Sequence, residues 1–348
     1  MANEFTILAR VRLDTADIQS QLDRLQGRTI GIHADTQDFE LSISVANAIM
    51  NEFIDIARDM VEQVAELDSA ITEFRKVSDL SGESLDNYVS ELGELGKEVA
   101  RTTSEMVDGA TQFKKSGFTE EESKTLALIA AEYQNIADEA ISSGEAANFI
   151  ISQIKAFNIE ATNAEHIINA VNAVSNNFAV SSADLATNIG KASAALAVGG
   201  NTYEETLGLM TSITEINRNG SRSARALVSI QSRLNQVLDE TSSTGKKLTE
   251  WYESHNIALY DEEGQLRSLY EIMGDVAKQW DTLSDNEQRY FLLTQAGANQ
   301  SANLGALMSN FATAINATTT ALNSNGSAMK ENAAYMDSIN KMVLLKPL

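Results

Sequence analysis

Catalysis commonly draws on histidine, cysteine or converging carboxylates, and this chain offers little of each. His33, His166 and His255 lie far apart in sequence, and none has a ligating residue one helical turn away, so no zinc-binding helix of the HExxH kind is present. Cysteine is absent from all 348 residues, which removes disulfides, a thiolate nucleophile and cysteine-ligated zinc. The paired acids Glu120 and Glu122 fall in the first turn of a predicted helix, where they complement its dipole. No GxSxG, P-loop or GxGxxG after a strand occurs. In "AVGGN" at 197–201 the glycines lack a following Lys-Ser or Lys-Thr, so they read as a helix end rather than a phosphate cradle. The expectation is a protein with no catalytic residues, cofactor or metal.

One charged cluster stands out against this background. The stretch "TEINRNGSRSARALVSIQSRLNQVL" at 214–238 carries Arg218, Arg222, Arg225 and Arg233 in a chain of net charge −23. On one continuous helix these arginines fall within about an 80° arc, with Leu227, Ile230, Leu234, Val237 and Leu238 on the other side. Such a face is either simply solvated or a helix-docking surface for an acidic helix of the same chain or a neighbour. The acid-rich stretch 105–145 supplies a candidate. Asn219-Gly220 would interrupt the arc if the helix breaks there.

The elements that must position these residues are helical. The chain has a single proline, Pro347, and only 6% aromatic residues, so little breaks a helix and the expected core is thin, as between paired helices. The predicted fold class is all-α and elongated: a long coiled-coil-like helix, then hairpins or a bundle, with a small strand–helix–strand element first. No run approaches the roughly 18 apolar residues of a membrane span, and the opening "MANEFTILARVRL" lacks a signal-peptide pattern. The acidity speaks against reading duplex nucleic acid, which needs a basic surface.

Five regions follow from the patterning. Residues 1–37 form the head, from the alternation in "FTILARVRLD", a short helix "TADIQSQLDRLQG" and a second strand candidate "RTIGIHADT". Residues 38–80 read as one long helix whose seam is Ala46, Met50, Phe53, Ala57, Met60, Val64, Leu67, Ile71 and Phe74, in steps of four and three. Residues 81–243 are shorter helices, each starting near Ser or Thr. Within them Thr119 with Glu122 and Thr202 with Glu205 are Thr-x-x-Glu capping boxes, each two residues after a glycine, which hints at a weak internal repeat. Residues 244–311 contain both tryptophans, Trp251 and Trp280, a turn at Asp261–Gly264 between two short extended pieces, and a capping box at Ser284 and Glu287. Residues 312–348 are small and polar and read as a looser helix or tether.

The order of motifs also carries a resemblance. "ASAALAVGGNTYEETLGLMTSITEINRNGSRSARALVSIQSRL", followed by "IALYDEEGQLRSLYEIMGDVAKQWDTLSDNEQRYFLLTQAGANQSANLGALMSNF", closely resembles the core region of phage tail tape measure proteins. These are minor tail proteins of long-tailed phages and prophages. The similarity extends upstream through "LDSAITEFRKVSDLSGESLDNYVSELGELGKEVARTT", to cover about residues 40–340.

The resemblance implies a structural protein of the virion. It would be made in the host cytoplasm, kept soluble by tail assembly chaperones, and surrounded by tail tube protein whose polymerisation it measures. It would contact distal tail or baseplate proteins, self-associate in the tail and leave with the DNA at infection, meeting the host membrane only then. Relatives usually continue past "NAAYMDSINKMVLLKPL", so a truncated or split protein is expected. The alternative function is a secreted or surface helical filament or pore-forming protein. A third, a cell-wall hydrolase, lacks a catalytic cluster to support it.

Overall fold

The computed structural model describes residues 62–345. Contacts divide the chain into two units, residues 1–76 and 77–348. Among the described residues every regular element is helical, with fifteen α-helices and one isolated antiparallel bridge, Tyr260 to Leu266. In the first unit, α1 spans 62–75 and ends just before the sequence "SDLSG". Of the expected seam, Val64, Leu67 and Ile71 are half-buried and Phe74 is buried. Ala46, Met50, Phe53, Ala57 and Met60 lie outside the described residues, as does the expected strand–helix–strand head at 1–37.

The second unit begins with α2 (Glu83–Glu98), α3 (Thr103–Lys115), α4 (Glu120–Ile136), α5 (Ser143–Phe157), α6 (Glu165–Asn177) and α7 (Ser182–Val198). Next come α8 (Tyr203–Asn217), α9 (Gly220–Leu234), α10 (Ser243–Ser254), α11 (Leu269–Gln279) and α12 (Asp285–Ala296). It closes with α13 (Ser301–Ser309), α14 (Phe311–Leu322) and α15 (Ser327–Leu345). Reciprocal capping boxes start α4, α8 and α12 where the sequence places them. Three further boxes, Thr102 with Glu105, Ser142 with Glu145 and Ser268 with Glu271, start α3, α5 and α11. Each box satisfies two N–H groups that a helix start would otherwise leave without partners. Because the device recurs, a matching pair of boxes cannot by itself mark a repeat.

The core of this unit is deep rather than thin. In α8 every residue from Thr206 to Thr214 is buried, so its central turns have no solvent face. The helix is ringed by α7, α9, α13 and α14. Few aromatics are needed because small residues bring backbones together. A Cβ on Gly208 would lie 2.1 Å from Thr318 Oγ1 and 2.6 Å from the Ala314 carbonyl oxygen. The α8–α14 contact therefore depends on this glycine. Beside it, Ser212 Oγ donates to the Asn310 carbonyl at 2.7 Å, and Asn310 Nδ2 donates back to the Ser212 carbonyl at 3.2 Å. Burial of Leu207, Leu209, Met210 and Ile213 stabilises the fold by roughly 1.5–3 kcal/mol each.

One cluster of buried residues runs from Phe113 to Ala328, continuous on either side of 243 and of 311. Both tryptophans join it: Phe291 is fully buried, 4.3 Å from the Trp251 ring and 6.1 Å from the Trp280 ring. The expected turn between extended pieces is present, with the Arg267 N–H donating to the Leu259 carbonyl at 2.9 Å and that of Gly264 to Asp261 at 3.1 Å. The segment after Phe311 is no loose tether at first. In α14, Phe311, Ala314, Ala317, Thr318 and Ala321 are buried.

Candidate functional site

The four arginines do not share one helix. α8 ends at Asn217, Arg218 adopts a left-handed conformation with φ 55°, and Asn219 caps α9 by accepting the Arg222 N–H at 2.8 Å. The break expected as a possibility at Asn219-Gly220 is therefore made, and the continuous 80° arc is not. Behind the elbow, Asn217 Nδ2 donates to Ser223 Oγ at 3.1 Å and to Asn303 Oδ1 at 3.2 Å. Thr214 Oγ1 donates to Ser223 Oγ at 2.9 Å. The Gly220 N–H donates to Asp184 Oδ2 at 2.8 Å, so α7 closes the start of α9.

Each arginine has its own surroundings. Arg218 is exposed, and its guanidinium donates to the Ala179 carbonyl in the α6–α7 connection. The Ala179 N–H donates to Glu215 Oε1 at 3.4 Å, so the α8 terminus grips both sides of this residue. Burial acts to raise the Glu215 carboxyl, but hydrogen bonds from Asn310, Ala179 and Thr313, with Arg218 nearby, outweigh it and hold it below the usual range. Arg233 is half-buried and donates to the Thr294 carbonyl at 3.0 Å, near the end of α12. There a cation meets the negative end of the helix dipole. A Cβ on Gly297, which has φ 74°, would stand 2.8 Å from this guanidinium, so the left-handed glycine also makes room for Arg233. Arg222 and Arg225 are exposed and form no ion pair among the described residues. Leu227, Ile230 and Leu234 are buried, while Val237 is half-buried and Leu238 is exposed in a short 3₁₀ turn.

Long-range caps were not legible beforehand. Asp138, after α4, accepts the N–H groups of Ser182 and Ala183 at 3.0 and 3.1 Å and the Ser182 hydroxyl at 2.8 Å. Burial raises its carboxyl, and these bonds more than reverse the effect and hold it low. Asp138 gave no local signal, since its partner lies more than forty residues away.

A cleft of about 950 Å³ opens where the α5–α6, α7–α8 and α14–α15 connections meet, lined in part by His166, Glu204, Asn163 and Asn325. His166 Nε2 and Glu204 Oε1 lie 2.7 Å apart. Burial raises the Glu204 carboxyl, but bonds from His166, its own N–H and Thr202 hold it below the usual range. His255 stacks on Trp251 with ring centroids 4.1 Å apart, and His33 lies outside the described residues. Among the described residues no three of His, Asp or Glu converge as metal ligands, and no helix is long and apolar enough to cross a membrane.

These polar groups join helices to one another. A family model described as phage-related minor tail protein matches residues 90–298, more than half of the chain. The chain belongs to that family, and its role is structural, as a component of the phage tail in the virion. No solved structure matches it.

Proposed function

We propose that this chain is a tail tape measure protein, or the N-terminal portion of one. It acts as a scaffold around which tail tube protein polymerises, sets tail length, and leaves with the DNA at infection. The observation that carries this reading is the minor tail family match over 90–298, which covers the ordered motifs from "ASAALAVGGN" to "YFLLTQAG". Tail assembly chaperones, distal tail or baseplate proteins and further copies of the chain are its other proposed partners. Arg218, Arg222, Arg225 and Arg233 serve as architectural contacts. Residues 46–74 supply a coiled-coil seam.

A ruler counts residues only where the chain is extended, and one buried cluster joins Phe113 to Ala328 in the free chain. The function thus requires these helices to unpack and lie end to end inside the tube. Removing residues 243–296 in frame then shortens tails by about 80 Å, at 1.5 Å per helical residue. Electron micrographs of the mutant phage measure this directly. Tails of unchanged length would end the ruler reading for this region.

A further inference from the structure

We infer that α15 is a releasable arm, fastened to the second unit by amide hydrogen bonds and able to detach while the rest stays folded. The inference does not depend on the ruler reading.

Four hydrogen bonds made by asparagine side chains fasten it. Asn172 Nδ2 donates to Ser327 Oγ at 2.9 Å, and Asn176 Nδ2 to Glu331 Oε2 at 2.9 Å. Asn169 Oδ1 accepts the Ala328 N–H at 2.8 Å, capping the arm from the side. From α4, Asn135 Nδ2 donates to Asn332 Oδ1 at 2.8 Å. Among the described side chains of α15, only Ala328 and Asn332 are buried; Tyr335, Met336 and Ile339 are half-buried, and Met329 is 56% exposed. No large apolar side chain among them is fully buried, unlike Phe311 of α14.

The surface beneath is suited to water. Asn169, Asn172 and Asn176 follow one another at helical spacing along α6, so departure of α15 uncovers a stripe of neutral amides there. Amides exchange a protein partner for water at small net loss, whereas an apolar face would not. The arm also has a swivel. Gly326, with φ 72°, lies between α14 and α15, and α14 on the near side is anchored in the core. Once free, α15 presents Ala328, Asn332, Tyr335 and Ile339 in steps of four, three and four, the spacing of a helix-pairing seam.

Native-state hydrogen exchange on the intact chain tests this. The α15 amides are expected to exchange at least about a hundredfold faster than those of α8 and α14, through local opening. Replacing Asn172→Ala and Asn332→Ala together raises α15 exchange by about a further tenfold and leaves α8 and α14 unchanged. Met329→Ala, which touches none of the fastening, leaves α15 exchange as it was. Protection of α15 equal to that of α14 in the native sequence would overturn the inference. So would a double variant that loosens α14 and α8 together with α15.

Discussion

α14 and α15 are consecutive helices that both carry many small residues, four alanines and four threonines in α14 and three alanines, two serines and two asparagines in α15, separated only by a short turn at Asn323–Gly326. Their fates differ. α14 lies against Gly208 of α8 with Ala314, Ala317 and Ala321 fully buried, whereas α15 meets a row of asparagines and has only Ala328 and Asn332 buried among its described side chains. Small side chains are thus neutral material. Opposite a glycine they permit backbone contact and many dispersion contacts, and opposite amides they permit only a fastening.

The strongest way to test this contrast is on the α14 side. Phe311→Ala is expected to destabilise the protein by about 3–5 kcal/mol, read as a lower denaturant midpoint. Gly208→Ala should cost about 3 kcal/mol, since its new Cβ meets a backbone carbonyl that cannot rotate away. The matching change on the arm, Ala334→Leu, should stay within about 0.5 kcal/mol because Ala334 is exposed. Equal effects on both helices would erase the distinction.

A smaller effect probes α4, which carries Asn135. Burial, with added repulsion from Glu165 and Glu98, pushes the Glu132 carboxyl from 4.5 up to about 7. The folded state therefore holds this proton more tightly than the unfolded chain, and the associated stability is lost as pH rises from about 4.5 to 7. Glu132→Gln should leave stability below pH 4.5 nearly unchanged and raise it above pH 7 by about 1–2 kcal/mol, a full shift discounted for solvent screening. Thermal unfolding across that range would show two curves that diverge upward in pH. Parallel curves would show that the carboxyl is not strained.

The arginines should show the smallest effects. Arg233→Met is expected to cost about 1 kcal/mol through loss of the bond to Thr294. The double change Arg222→Glu and Arg225→Glu should alter stability by less than about 0.5 kcal/mol. Normal tails from that double mutant would show these two side chains to be merely solvated, while defective tails from a stable protein would place a partner on them.

The sequence made some of this architecture readable. A hydroxyl three residues before a glutamate located the starts of α4, α8 and α12, and the same signature at Thr102, Ser142 and Ser268 would have located three more. That pattern is local, so one dimension suffices. The continuous arginine arc is not formed because a two-residue elbow, Arg218 and Asn219, resets the helical phase. The α14 reading failed because "ATAINATTTAL" looks polar until its alanines face Gly208 from over a hundred positions away. Asp138 and the asparagine fastening share that difficulty, since their partners are distant in sequence.

The enclosed position of α8 has a consequence for biosynthesis. The helix emerges well before α13 and α14, which complete its enclosure on the order of a hundred residues later. At about 5–20 residues per second, that interval lasts roughly 5–20 s. Throughout it, Leu207, Leu209, Met210 and Ile213 lack the neighbours that later shield them. A nascent chain in this condition exposes apolar surface that is prone to association. The order of synthesis therefore leaves this surface open for a defined window, one that closes when Phe311 and Ala314 arrive.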